Sequence, residues 1–168
     1  MPMPGSAPSR PRRLARRARI NTAVLAGALL AGMGAAPLLS YRVDGDAIDD
    51  PLTGQVGDPA RGRTVVLARQ VSTCLLCHAG PFSDGQSSGA QSQSAIGPSL
   101  TGVGSRLTAG QIRLRIVNAA AVNPATVMPG FYTVSGLTRV GHAWEGKPVL
   151  TANQVEDVVA YLTTLNAP

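Results

Sequence analysis

One five-residue run, Cys74-Leu75-Leu76-Cys77-His78, constrains this 168-residue chain more than anything else in it. Its spacing is C-x-x-C-H. Two thiols three residues apart face the same side of one helical turn, and the histidine follows directly. This is the covalent attachment signature of a c-type haem. The thiols add to the two vinyl groups and the histidine meets the iron from the proximal side. Two buried cysteines beside a surface histidine, a redox-active pair and half of a zinc site are the competing readings. The chain has only 2 cysteines, so the second pair that a zinc ribbon needs is missing. No βαβ pattern surrounds the motif, as a thioredoxin-like site would require. The haem reading is therefore preferred.

The first forty residues have the layout of a secretory signal peptide. Arg10, Arg12, Arg13, Arg16, Arg17 and Arg19 form a basic start, and an uncharged apolar stretch runs from Ile20 to Leu39. Small residues gather near its end, which places the expected cut between Ala36 and Ser40. The stretch is long enough for residues 20–39 to serve instead as a membrane anchor. Haem attachment to this motif takes place outside the cytoplasm, so leader and motif support each other and a periplasmic location is expected. The leader also distorts the charge. The chain has 15 basic and 9 acidic residues, a formal +6, and the six leader arginines account for the whole excess. From Tyr41 onward the two signs balance, so the basic pI is no sign of nucleic-acid binding.

Residues 41–57 are polar and read as an N-terminal arm or linker, which leaves 58–168 as one small domain. Such a domain is marginal on its own core, and a buried haem would supply the missing apolar surface. Three helices are predicted. The first starts at Asp58 as cap with Pro59 in the first helical position, contains Val65, Val66 and Leu67, and runs toward Cys74. The second starts at Thr108, where Thr108 and Gln111 form a capping box and Ile112 and Ile116 an apolar pair. The third starts at Thr151 with a capping box to Gln154; Val155, Val158, Val159, Leu162 and Leu165 follow at helical spacing. No strand pattern of useful length is present. The expected fold class is all-α, a small cytochrome c domain around one covalently attached haem. Residues 79–98, rich in Ser, Gln and Gly, read as a long surface loop.

Haem iron in an electron carrier usually has a sixth ligand. Beyond the leader the candidates are Met128, His142 and Lys147. Met128 is preferred because Pro124 and Pro129 stiffen its segment, whereas His142 and Lys147 lie in turn-like sequence. His/Met ligation gives a higher potential than bis-histidine ligation and an iron with no open position. The expected role is single-electron transfer, with no catalytic residue in the chain itself. Arg106, Arg113 or Arg115 is a possible propionate partner, although a solvated helix face is preferred for Arg113 and Arg115. Trp144 and Tyr161 are candidate pocket walls.

The later segments are more specific than the haem motif. They are Gly97-Pro98-Ser99-Leu100-Thr101-Gly102-Val103-Gly104-Ser105-Arg106, Asn123-Pro124, Val127-Met128-Pro129-Gly130-Phe131-Tyr132, Gly136-Leu137-Thr138-Arg139-Val140, Gly146-Lys147-Pro148-Val149-Leu150-Thr151 and Glu156-Asp157-Val158-Val159-Ala160-Tyr161-Leu162. In order and spacing the chain resembles the SoxX family, the monohaem subunits of the sulfur-oxidising SoxAX complex, over roughly residues 57–168. The Ser/Gln-rich run 83–95 departs from that pattern. The resemblance implies that Cys74 and Cys77 hold one haem c, with His78 as proximal and Met128 as distal iron ligand. It implies a heterodimer with a SoxA-like cytochrome, which acts as an L-cysteine S-thiosulfotransferase on a cysteine of the carrier SoxYZ. It also implies electron transfer onward to a small cytochrome c. A free-standing monohaem shuttle is the alternative, and a haem sensor with a displaceable ligand a third reading.

Overall fold

Helix α1 spans Pro59–Leu67, and its start follows directly from the sequence. The Asp58 carboxylate accepts from the Ala60 and Arg61 N–H groups, at 2.8 and 3.0 Å, and Pro59 needs no donor where it stands. The fold is described from a computed structural model over Met1 and residues 38–82, 94 and 96–166. The leader other than Met1 and residues 38–40, and the run 83–95 other than Ser94, lie outside the described residues.

Four further α-helices follow: α2 Cys74–Cys77, α3 Val103–Arg106, α4 Ala109–Asn118 and α5 Ala152–Thr163. Short 3₁₀ turns occupy Ala119–Ala121 and His142–Trp144. Among the described residues the only β feature is an isolated bridge between Asp44 and Ala47, so the architecture is all-α. Both capping boxes form: Thr108 with Gln111 opens α4 and Thr151 with Gln154 opens α5. Helix α3 was not anticipated; Gly102, with φ +66°, turns the chain into it. No described helix is long and apolar enough to cross a membrane.

The core joins one face of each main helix. Val66 comes from α1, Leu75 from α2, Ile112, Leu114, Ile116 and Val117 from α4, and Val155, Val158, Val159 and Leu162 from α5. The helices approach closely where α1 meets α5. A Cβ on Gly62 would overlap the backbone carbonyl of Asp157, so only glycine fits there. Tyr161, a candidate pocket wall, sits beside this crossing, near Gly62. Gly104 of α3 meets the end of α5 in the same manner, and its N–H donates to the Leu165 carbonyl at 3.0 Å.

The segment read as a polar arm is fastened to the helices. Ile48 is 1 % exposed and Leu52 is also buried. A buried ion pair holds them. Arg113 of α4 and Glu156 of α5, both 3 % exposed in their side chains, meet at 2.9 Å. Arg113 also donates to the Ile48 and Asp49 carbonyls, while Glu156 accepts the Leu52 N–H at 2.9 Å. The preferred reading of Arg113 as a solvated helix residue is therefore corrected. Arg115 pairs with Asp46 of the arm at 3.2 Å. The loop read at 79–98 also has a buried beginning, because Phe82 is fully enclosed.

Asp157 ties the two ends of the domain together. Its carboxylate accepts from the Asp58 N–H at 2.7 Å and from Arg61 Nε and Nη2 at 2.9 and 2.8 Å. The Arg61 hydrogen bonds hold its pKa below the ordinary carboxylate value, against the opposing effect of burial. A depressed native pKa contributes stability above the unfolded value, near pH 4, that is lost as pH falls through the native value. Asp157→Asn should cost about 1–2 kcal/mol at pH 7, trimmed because Arg61 is largely exposed. Urea midpoints for both proteins should converge as pH falls below about 4; a gap independent of pH would contradict this assignment.

Candidate haem site

Helix α2 carries the Cys-x-x-Cys part of the motif, Cys74–Cys77. Thr73, at φ +54° in the left-handed region, precedes it, and a single turn then carries both cysteines. Leu75 is the buried residue of that turn and anchors it in the core. His78 caps the turn, its N–H donating to the Cys74 carbonyl at 2.9 Å. Cys74 is half-buried, and desolvation pushes its thiol pKa up. Its Sγ lies 3.7 Å from the Ser72 carbonyl oxygen.

The His78 ring is held in one orientation. Its Nδ1 lies 2.8 Å from the Pro98 carbonyl oxygen. A carbonyl only accepts, so Nδ1 carries the proton and Nε2 keeps its lone pair for a metal. Gly97 lies flat against the ring: a Cβ there would stand 2.6 Å from Cε1. Two backbone bonds fix this loop to the motif, Gly97 N–H to the Cys77 carbonyl and Leu100 N–H to the Ala79 carbonyl, each 2.8 Å. Arg106 locks the loop from the other side by donating to the Ser99 and Thr101 carbonyls. Arg106, Arg113 and Arg115, the candidate propionate partners, are thus all engaged within the protein. The Pro98 contact is made by its carbonyl, a role that sequence alone does not reveal.

Met128 lies on a separate segment, between the 3₁₀ turn at Ala119–Ala121 and α5. It is partly buried against the same apolar cluster as Cys74 and Leu75. Asn123 organises the approach: its side chain accepts the Ala125 N–H at 3.1 Å and its carbonyl the Thr126 N–H at 3.0 Å. Thr126 Oγ1 then accepts the Met128 N–H at 3.1 Å. The structure brings Cys74, Cys77 and His78 together on one turn and sets Met128 apart from them, on the shared core. His142 is exposed and paired with Glu145 at 3.3 Å. Lys147 donates to the Ala143 carbonyl. Trp144, the other candidate pocket wall, is 56 % exposed.

These residues fit a haem in two respects. The donors are a paired thiol turn, an imidazole with a free nitrogen and a half-buried thioether. Large apolar side chains also stand exposed beside them in sequence: Leu76 within the motif, Ile96 before Gly97 and Val127 before Met128. Exposed apolar side chains adjacent in the chain to donor residues suit a large apolar ligand. By contrast, no described group of three or more His, Cys, Asp or Glu side chains is placed to hold a metal ion by itself.

An all-α domain with its first and last helices crossed on a glycine, and a Cys-x-x-Cys-His turn docked beside them, is a small cytochrome c domain. A solved structure of SoxXA from P. pantotrophus superimposes with a TM-score of 0.65 and 34 % identity, covering 75 % of this chain and 94 % of that chain. No protein-family model and no curated protein matches. The chain belongs to the SoxXA-related cytochromes.

Proposed function

We propose that this chain is the SoxX-type, electron-accepting subunit of a periplasmic complex that joins thiosulfate to a cysteine of a carrier protein. The observation that carries the reading is the docked Cys74–His78 turn, with Nε2 left free, in a chain aligned along nearly all of a SoxXA chain. Cys74 and Cys77 bind one haem c through thioethers. His78, oriented by the Pro98 carbonyl, and Met128 would supply its two iron ligands. A bound haem provides one-electron redox chemistry at its iron.

Both cysteines are consumed in attachment, so the chain offers no thiol to the substrate and is not catalytic alone. The sulfur–sulfur bond forms on a SoxA-like cytochrome partner. There thiosulfate and the carrier (SoxYZ) thiol combine, with loss of two electrons and one proton. This chain accepts the electrons one at a time and passes them to a small cytochrome c. The N-terminal segment, cut within the Ala36–Ser40 window, acts as the export leader, in keeping with a haem motif matured outside the cytoplasm.

The test is the native mass of the haem-loaded protein purified from its own periplasm, with its subunits identified. A stable heterodimer with a second c-type cytochrome is expected. A lone monohaem monomer would favour the free-standing shuttle instead.

A further inference from the structure

We propose that the N-terminal arm braces the Met128 segment through Leu39 and Tyr132, and so governs how readily Met128 leaves a bound iron. The proposal rests on the reading of Met128 as distal ligand. Tyr132 follows Met128 by four residues and its side chain is buried. Its hydroxyl oxygen accepts the backbone N–H of Leu39 at 2.9 Å, across a sequence separation of 93 residues, and neighbouring Leu38 packs on the core.

The two sides of the methionine segment are fastened unequally. On the C-terminal side, Phe131 N–H donates to the Ile116 carbonyl at 2.9 Å and Tyr132 N–H to the Val117 carbonyl at 3.3 Å. Gly130 lies so close to α4 that a Cβ there would stand 3.0 Å from the Val117 oxygen. On the N-terminal side, among the described residues, it is held by the local Asn123 and Thr126 turns, and Val127 is 81 % exposed. Tension on Met128 is therefore borne by Phe131 and Tyr132, and the arm reaches this anchor.

The arm can bear load because its other end is fixed. Ile48 N–H donates to the Gly110 carbonyl at 3.0 Å, and the buried Arg113–Glu156 pair holds residues 48–52. Between its ends the arm doubles back at the Asp44–Ala47 bridge. An open surface hollow of about 330 Å³ lies along it, lined by Ser40, Tyr41, Arg42, Asp50, Pro51 and Leu52. The brace also has a consequence for export: the leader must be removed on the N-terminal side of Leu38, within a window that otherwise extends to Ser40.

The test is imidazole binding to the ferric, haem-loaded protein, since imidazole must displace the distal ligand. Tyr132→Phe removes the acceptor and keeps the buried ring. Leu39→Pro removes the donor, because proline has no N–H. Each variant should bind imidazole about fivefold more tightly, as expected for one lost hydrogen bond. The double variant should gain no more than either single one, because both lose the same contact. Unchanged affinity in Tyr132→Phe, or effects that multiply in the double variant, would overturn the brace. Tyr132→Phe suffices should Leu39→Pro fold poorly. Met128→Ala is the control. If it loses the methionine–iron charge-transfer band while Tyr132→Phe is silent, the ligand reading stands and the brace falls. An unchanged band in Met128→Ala overturns both. The intact mass of the exported protein must include Leu38; a mature chain that begins after it lacks the donor peptide and overturns the brace.

Discussion

Glu156→Ala is expected to destabilise the domain by about 3–5 kcal/mol, the range found when one partner of a buried ion pair is removed. Arg113 would remain, 3 % exposed, with its carboxylate partner gone. The Leu52 N–H would lose its acceptor as well. The arm would then be free to lift from α4 and α5. The more informative comparison is the apolar double replacement, Arg113→Met with Glu156→Leu. An apolar pair of similar volume often does as well as a buried ion pair. Here it should not fully recover, because the Ile48 and Asp49 carbonyls and the Leu52 N–H would still be left unsatisfied. Urea unfolding measures both. The single variant should show the larger drop in midpoint, and the double variant should lie between it and the wild type. A near-neutral Glu156→Ala would mean that the pair is solvated and does not clamp the arm.

Gly62→Ala should be the most damaging single-methyl addition, about 3 kcal/mol. In an ordinary exposed helix the same change is stabilising, because glycine is the poorer helix former. Here the added carbon would overlap the Asp157 carbonyl and approach Tyr161 Cβ to 2.8 Å. Backbone cannot yield as a side-chain tip can, so α1 and α5 must separate. That separation would also stretch the Asp157 bonds to Asp58 and Arg61. A fall in Tm of about 10 °C is expected from thermal unfolding followed by circular dichroism. A gain in Tm would show that helix propensity outweighs the crossing and that the two helices are not in contact at Gly62.

The difference between what could and could not be read in the sequence is one of range. The Asp58 cap and the Thr108 and Thr151 capping boxes are closed by residues within three positions, so their composition announces them. The Cys74–Cys77 helical turn is legible for the same reason, its pattern lying within five residues. Arg113 is different. Its partner is 43 positions away and its other acceptors are backbone carbonyls of the arm, so nothing local separates it from a solvated helix arginine. The same applies to Phe82, whose burial is hidden by the surrounding Gly and Ser residues. It applies also to Gly97, whose meaning appears only when the His78 ring is seen against it. The Tyr132 hydroxyl had no signal at all, because its partner is a peptide N–H. Met128 was singled out as the one methionine beyond the leader, in a segment stiffened by Pro124 and Pro129; the turns that shape that segment come from the Asn123 and Thr126 side chains.

The central claim is that the Cys74–His78 turn carries one covalently bound haem in the exported protein. The most direct measurement is the denaturing mass of that protein beside the exported Cys74→Ala/Cys77→Ala variant. The account predicts a wild-type mass equal to the processed polypeptide plus one haem, and a variant mass equal to its polypeptide alone. A wild-type mass with no haem after export through a competent haem-attachment pathway would contradict it.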